Sequence, residues 1–165
     1  MPKIMLAFNN EVMDEYIRDD DLDRLGNFAE WQWLDLRGGE RFEANADPDS
    51  IHRLRDNIEA ADGVVICHGS PKISRQIMDS APTLKIIGEL EGDRFATRID
   101  LQEAWRRGIK TLDTTNGSSY PVAEWALGLI LISVKNAGSL FRRIIEGDTG
   151  RLRKDDFGYL NGELY

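Results

Sequence analysis

Residues 114–148 contain one long and very apolar stretch that begins with a polar, glycine-containing turn. From Val122 to Val134 the sequence reads VAEWALGLILISV, which leaves almost no polar face. Ser119 can cap a helix here, and Pro121 is tolerated in a first turn because its missing N–H would have no partner there. We therefore predict one helix over residues 119–147, about 42 Å long. A helix that is apolar on every side must be covered on every side.

Two interpretations of this helix remain open, a central core helix or a helix shared between two bodies. At 165 residues one domain is the default, and such a domain needs no helix of this length. The most apolar run, Ala126–Ser133, is too short to cross a bilayer, so we expect no membrane association. The single Cys67 and the lack of a charged-then-apolar leader favour a cytoplasmic protein.

The charge is distributed unevenly along the chain. The net charge is −8, and the first 60 residues carry 15 acidic and 7 basic side chains. Because phosphate binding requires a basic stripe, nucleic acid is not an expected partner. The acidic first third is more simply interpreted as a solvated surface.

Five short runs of strand character alternate with helical patterns along the chain. The helical signals include Asp47 followed by Pro48, which predict an N-cap and a first helical residue, and the capping-box spacing of Asp100 and Glu103. This alternation predicts an α/β fold with a doubly wound parallel sheet and right-handed crossovers. The predicted strands are residues 3–8, 29–36, 63–67, 84–88 and 109–115.

Ligands of open parallel sheets bind beyond the carboxyl ends of the strands. Four predicted loops lie there, and they are Asn9–Asn10, His68–Ser70, Glu89–Arg94 and Asn116–Ser119. The first loop lacks the phosphate-binding residues of a flavodoxin, and the chain lacks the acidic residues of a phospho-receiver. There is no GxGxxG, no GxxxxGK[ST], no GxSxG and no metal-spaced Cys/His set. We therefore predict no metal site and no complete catalytic apparatus within the chain.

Two segments carry a resemblance to a known family. They read ADGVVICHGSPKISRQIMDSAPTLKIIG and RIDLQEAWRRGIKTLDTTNGSSYPVAEWALGLIL. Together they resemble the NAD-dependent D-isomer-specific 2-hydroxyacid dehydrogenases, and the second is the more specific. The resemblance implies a flavodoxin-like substrate-binding domain with a five-stranded sheet over residues 1–118 and an interdomain and dimerisation helix over residues 119–147. It also implies a hinge over residues 148–165, because NGELY is similar to the phrase that leads into the family's Rossmann domain.

The same resemblance implies a set of site residues. The Arg, Glu and His that act on the hydroxy acid would lie in the missing Rossmann domain, so no catalytic residue is expected in this chain. One position of the long helix, Val122, matches a position near the nicotinamide. The expected substrate-binding residues, which match the loops around the pocket, are His68, Gly69, Ser70, Glu91, Gly92, Asp93, Arg94 and Ser118.

The loop after the fourth predicted strand is unusually acidic for a site that would bind a carboxylate. In the family this loop offers backbone N–H groups to the substrate carboxylate. Two glutamates at about 6 Å would each oppose that carboxylate by roughly 3 kcal/mol at an effective dielectric near 20, and Arg94 could cancel only one. Either Glu89 and Glu91 point away, or the substrate is not an ordinary hydroxy acid. Residues 91–94 could equally be a solvated surface loop, and His68 a loop histidine with a satisfied ring.

The expected function is the substrate-binding half of an NAD(P)-dependent D-2-hydroxyacid dehydrogenase-like oxidoreductase. Its partners would be a small 2-hydroxy or 2-keto acid, the missing Rossmann domain and a second copy of the chain bound through the 119–147 helix. The cofactor would be NAD or NADP in the full-length protein, with none bound to this fragment, which alone would be inactive. The alternative is a stand-alone ligand-binding or dimerisation module that has lost the catalytic domain.

Overall fold

The computed structural model describes residues 1–92 and 95–148. Its five strands form one parallel sheet in the order β2-β1-β3-β4-β5. This order is the flavodoxin-like one, so the predicted doubly wound α/β fold is confirmed. The strands are β1 (Lys3–Phe8), β2 (Glu30–Asp35), β3 (Gly63–Ile66), β4 (Ile86–Glu89) and β5 (Lys110–Asp113). The helices are α1 (Asn10–Tyr16), α2 (Asp19–Gly26), α3 (Pro48–Asn57), α4 (Arg75–Asp79), α5 (Phe95–Arg98), α6 (Leu101–Arg106), α7 (Thr115–Val134) and α8 (Ala137–Ile145).

Side-chain caps fix where three of the helices begin. The Asp47 carboxylate accepts the Ser50 N–H at 3.0 Å at the start of α3, and Pro48 takes the first helical position as predicted. The Asp100 carboxylate likewise accepts the Glu103 N–H at 3.2 Å at the start of α6. Asn9 caps α1 in the same way. Local polar signals therefore define these boundaries without help from the core.

Both faces of the sheet are covered by helices. The larger core joins one face to α3, α4 and α6 through buried residues that include Leu54, Ile77 and Ala104. A smaller core joins the other face to α1 and α2, and Phe8 and Val12 are fully buried in it. This layering positions the loops at the carboxyl ends of the strands.

The fourth strand ends later than predicted. It runs from Ile86 to Glu89, and its register pairs Glu89 with Ile66 of β3 and Asp113 of β5. The prediction ended the strand at Gly88 and assigned Glu89 to the charged loop that follows. Only 1% of Glu89 is exposed, so this charged residue is part of the sheet and of the interior.

The prediction of one continuous helix over residues 119–147 is wrong. The Asp113 carboxylate accepts both the backbone N–H of Thr115, at 3.2 Å, and its hydroxyl, at 2.6 Å, so α7 begins at Thr115. Ser119 is therefore inside the helix rather than at its cap, and Pro121 is also internal. The helix ends at Val134 because Asn136 adopts a left-handed conformation with φ of 51°, after which α8 begins.

The chain divides into two compact units, Met1–Asn116 and Gly117–Tyr165. This division lies close to the predicted boundary after residue 118, and of the predicted hinge over residues 148–165 only Asp148 is among the described residues. In α7 no residue is buried, and Trp125 and Ile130 are 70% and 57% exposed.

The helix α7 has the length and the mean hydropathy, 1.2, of a membrane span, unlike the shorter run considered from sequence. Apolar helices that are covered by protein have the same length and hydropathy. The first six residues of α7, TNGSSY, are mostly polar or small.

Candidate functional site

The loop that follows β3 is held rigidly at the carboxyl edge of the sheet. The Asn9 N–H donates to the His68 carbonyl at 2.9 Å, and the Asn45 side-chain amide donates to the Gly69 carbonyl at 2.9 Å. Gly69 has φ of +83°, and a Cβ there would lie 2.4 Å from the Leu36 carbonyl oxygen. Only glycine fits this position, and the main chain of residues 68–70 is therefore fixed before any ligand binds.

A buried ion pair lies beside this loop. Glu89, the last residue of β4, accepts a hydrogen bond at 3.0 Å from Nη1 of Arg98, and both side chains are 0% exposed. The same carboxylate oxygen accepts the Glu91 N–H at 3.2 Å. Nη2 of Arg98 donates to the Arg41 carbonyl. The arginine therefore links the end of β4 to α5 and to the loop before α3.

Glu91 completes a cluster with Arg98 and His68. Its Oε2 atom lies 3.3 Å and 3.4 Å from the two terminal nitrogens of Arg98 and 3.2 Å from Nε2 of His68. The side chain of Glu91 is 18% exposed, whereas those of Arg98 and His68 are 0% and 3% exposed. Glu91 is therefore the member of the cluster that reaches solvent.

Three buried polar atoms of this cluster have no hydrogen-bond partner among the described residues. They are Nε2 of His68, Oε2 of Glu89 and Nε of Arg98. The 3.2 Å separation between His68 and Glu91 meets the distance of an ion pair, but its direction does not meet that of a hydrogen bond. Because an unpaired buried polar atom costs free energy, the cluster has unused capacity to bind a polar group.

Burial controls the ionisation of two groups at this edge. Burial raises the pKa of Glu89 to about 7, although the nearby Arg98 opposes the shift. Burial likewise raises the pKa of the Cys67 thiol to about 12, so this cysteine stays protonated and inert near neutral pH. Glu89 is therefore the group whose charge changes in the physiological range.

Tyr16 and Arg41 form the outer side of the cluster. The Tyr16 ring packs edge-on against the His68 ring, with 5.5 Å between the ring centroids. Arg41 donates to the Tyr16 hydroxyl at 2.8 Å, and this hydrogen bond raises the pKa of Arg41. The loop before α3 thus contacts Arg98 through the Arg41 carbonyl, and the Arg41 side chain is joined to His68 through Tyr16.

The structure brings together only some of the residues predicted from sequence. His68 and Glu91 are in contact, and Gly69 and Ser70 support the loop between them and the core. Gly92 lies against Thr115, where a Cβ would approach to 2.7 Å. Ser118 and Val122 are exposed on α7, in the second unit. Asp93 and Arg94 lie outside the described residues. Of the other predicted loops, Asn9 caps α1, and residues 116–119 are part of α7.

The residue that sequence reasoning missed is Arg98. The prediction considered Arg94 as the cation for the acidic loop, but Arg98 contacts both glutamates. Two acids at the end of an apolar strand require a nearby cation. This requirement could have pointed to Arg98, the next arginine after Arg94. The two glutamates thus point at Arg98.

Two other features of the described residues bear on where a ligand would bind. Residues 1–92 and 95–148 contain no group of three or more His, Cys, Asp or Glu that could hold a metal. A separate cavity of about 240 Å³ lies at the amino ends of β1 and β2, near Lys3, Glu30 and Asn57, and it is distant from the cluster along the strands. The charged cluster is therefore the better candidate for a ligand site.

Comparison with known proteins identifies the relatives of this chain. No protein-family model matches it. A glyoxylate reductase of Thermofilum pendens is 36% identical over 101 residues, which is 61% of this chain and 27% of that protein. The chain thus aligns with about a quarter of the length of this relative.

Solved structures agree in fold. A phosphoglycerate oxidoreductase from Rhizobium etli matches with a TM-score of 0.64 and 20% identity, over 89% of this chain and 41% of that one. An NADPH-dependent glyoxylate/hydroxypyruvate reductase from Sinorhizobium meliloti matches with a TM-score of 0.52 and 19% identity, over 93% of this chain and 42% of that one. The sequence relatives, together with this agreement in fold, support the family that the two quoted segments resemble, the D-isomer-specific 2-hydroxyacid dehydrogenases.

Proposed function

We propose that this chain is the substrate-binding half of an NAD(P)-dependent D-2-hydroxyacid dehydrogenase-like oxidoreductase. The observation that carries the proposal is the preformed cluster of Glu89, Glu91, Arg98 and His68 at the carboxyl edge of a flavodoxin-like sheet. Ligands of such sheets bind at this edge. The relative named glyoxylate reductase supports a small 2-hydroxy or 2-keto acid as the substrate.

In this proposal the chain binds and orients the acid. The rigid loop of residues 68–70 forms one wall of the pocket, and the backbone around Gly92 faces the substrate carboxylate. Arg98 offsets one of the two negative charges of Glu89 and Glu91, which reduces the repulsion that an acidic loop would exert on a carboxylate. Asp93, Arg94 and Ser118 remain proposed contacts of the same substrate.

The nicotinamide cofactor would be bound by another domain. This chain contains no glycine-rich phosphate loop, so its own residues do not form a dinucleotide site. Within α7 we propose only Val122 as a contact of the cofactor. The chain alone would bind the acid but transfer no hydride.

We further propose that α7 and α8 form the interface to a second copy and to the nucleotide domain. The apolar residues exposed on α7 support this proposal, because exposed apolar patches of this kind mark interaction sites. Such coverage fits an apolar helix in a cytoplasmic enzyme.

The test is hydride transfer by the longest product of the gene that contains these 165 residues. We expect that product to oxidise NADH or NADPH with glyoxylate or hydroxypyruvate, and we expect residues 1–165 alone to show no turnover. A longer product that binds neither nucleotide would overturn the proposal. Saturable binding of the acid with no nucleotide-binding domain encoded would instead favour the stand-alone module.

A further inference from the structure

We propose that the outer side of β2 is a docking surface for an extended cationic peptide segment, which adds a strand to the five-stranded sheet. This surface lies at one side of the sheet, apart from the charged cluster, and the inference does not depend on the proposed function. The occupant is a segment of alternating polar and apolar residues with a lysine or arginine at each end.

The first argument is the difference between the two outer strands of the sheet. Proteins protect outer strands from pairing by making them short or by placing lysine, proline or a bulge in them. The strand β5 has four residues and begins with Lys110, whereas β2 has six residues and contains neither lysine nor proline. The register of β2 with β1 is continuous, without a bulge. β2 therefore lacks these protections against a further strand.

The second argument is the direction of the main-chain groups of β2. The N–H groups of Glu30 and Leu36 donate to main-chain carbonyls at the two ends of β1, at 2.9 Å and 3.2 Å. Because successive residues of a strand direct these groups to opposite sides, those of Trp31, Trp33 and Asp35 point away from β1. Among the described strands, β2 pairs with β1 alone. A further strand would therefore meet a row of main-chain donors and acceptors.

The third argument is the charge around this surface. Residues 18–35, which include α2 and β2, carry six acidic and two basic side chains. On β2 the charged residues are Glu30 and Asp35, one at each end and on opposite faces. No ion pair joins Glu30 to its register partner Lys3 in the described part of the chain. Asp35 pairs with Arg37 at 3.2 Å through one oxygen, and its other oxygen has no hydrogen-bond partner there.

This charge distribution selects a peptide cation over a second copy of β2. Antiparallel pairing of two β2 strands about their centre would place Glu30 and Asp35 opposite each other, and like charges directly opposite are destabilising. A segment with a cation at each end instead complements both carboxylates.

The side chains of β2 specify what lies between the two cations. Trp31 and Trp33 share one face of β2, and each is 38% exposed. On the other face Glu30 and Gln32 line the cavity of about 240 Å³ at the amino ends of β1 and β2. An antiparallel segment KTVTVK places its valines opposite the tryptophans, a favourable cross-strand pairing, and its lysines opposite Asp35 and Glu30. Main-chain hydrogen bonds would supply affinity and these side-chain pairs specificity.

The test is a titration of the 165-residue chain with the capped peptide KTVTVK, followed through main-chain amide and tryptophan indole shifts. We expect saturable shifts at residues 30–36 and at least about tenfold weaker binding of the peptide ETVTVE, whose charges are repelled. N-methylation of the two valine amides, which face β2, should abolish binding. N-methylation of the two threonine amides, which face away, should leave it unchanged.

Two variants of the chain separate local charge from net charge. Glu30→Lys should bind KTVTVK about fivefold more weakly. Glu124→Lys makes the same change of charge at an exposed glutamate of α7 and should bind as the wild type does. Equal binding of the two peptides, equal effects of the two methylation patterns, or shifts confined to other residues would overturn the inference. Shifts at residues 30–36 that depend on chain concentration without peptide would show a second copy there and would also overturn it.

Discussion

The carboxyl edge of the sheet buries charged residues, whereas the helix α7 exposes apolar ones. At the edge, Arg98 and Glu89 are charged residues with fully buried side chains. In α7, apolar residues such as Trp125 and Leu127 are more than half exposed. The first arrangement costs free energy of desolvation and the second forgoes hydrophobic stabilisation. Neither is explained by the stability of a single chain, and we propose that each region serves binding.

The two regions differ in what each needs. The edge cluster is already assembled by hydrogen bonds within the first unit, and three of its buried polar atoms have no hydrogen-bond partner in the described part of the chain. The helix has no assembled environment among its described residues, because none of them is buried. A ligand therefore fits the first region, and a macromolecular surface fits the second. Substitutions in the edge cluster should change the stability of the chain, while those in α7 should change its assembly.

The largest effect should follow removal of the buried cation. Arg98→Met leaves Glu89 in the interior without its partner, and we expect the free energy of unfolding to fall by about 3–5 kcal/mol. Urea denaturation measures this change. Arg55→Met, which removes a cation paired with Asp56 on the surface, should cost less than about 1 kcal/mol. Equal effects of the two substitutions would contradict the description of the edge cluster.

The rigidity of the loop after β3 can be tested through two glycines with similar backbone conformations. Gly69 and Gly38 have φ of +83° and +79°, but only Gly69 has a neighbour that a Cβ would strike. Gly38→Ala should cost about 1 kcal/mol for the left-handed conformation alone, whereas Gly69→Ala should cost at least about 3 kcal/mol. Thermal unfolding of both variants gives the comparison, and a similar cost for both would show that the loop can yield.

Two glutamates with oppositely shifted pKa values should make opposite contributions to the pH dependence of the free energy of unfolding. The pKa of Glu89 is raised from 4.5 to about 7, so its stabilising contribution is full below pH 4.5 and is lost as the pH rises through 7. The loss is about 3 kcal/mol at roughly 1.36 kcal/mol for each unit of pKa change, and Glu89→Gln should abolish it. The hydrogen bonds from Arg106 and Arg107 lower the pKa of Glu103 to about 2, so its contribution is lost as the pH falls from 4.5 towards 2. Free energies of unfolding measured from pH 3 to pH 8, roughly the range in which the charge of these carboxyl groups changes, check both slopes.

The smallest effect on stability should come from the apolar helix. Leu127→Glu replaces a side chain that is 57% exposed, so the free energy of unfolding of the isolated chain should change by less than about 0.5 kcal/mol. Urea denaturation at low protein concentration measures it. A cost of several kcal/mol under those conditions would mean that Leu127 belongs to the core of its own subunit.

Sequence reasoning succeeded where the signal is local. The strand Lys3–Phe8 and the helix start at Asp47 and Pro48 were predicted because an apolar run and a cap are complete within a few neighbouring residues. The order of the strands agrees with the expectation for a flavodoxin-like sheet.

The errors arose where contacts between separate residues decide the outcome. Glu89 resembles a loop residue until Arg98, nine positions later, is brought against it by α5. The start of α7 depends on the Asp113 carboxylate, and its end depends on the left-handed conformation of Asn136, which the surrounding apolar pattern concealed. The sequence pointed to loops 68–70 and 89–92 of the candidate site, but it did not point to Arg98, which contacts both glutamates.

The most direct test of the central claim, that α7 is a surface to be covered, is the mass of the chain in solution across protein concentrations. Sedimentation equilibrium of the 165-residue chain should give a mass above the 18.7 kDa of one chain, and Leu127→Glu should return it to 18.7 kDa. A wild-type chain that remains at 18.7 kDa at every concentration would contradict the claim.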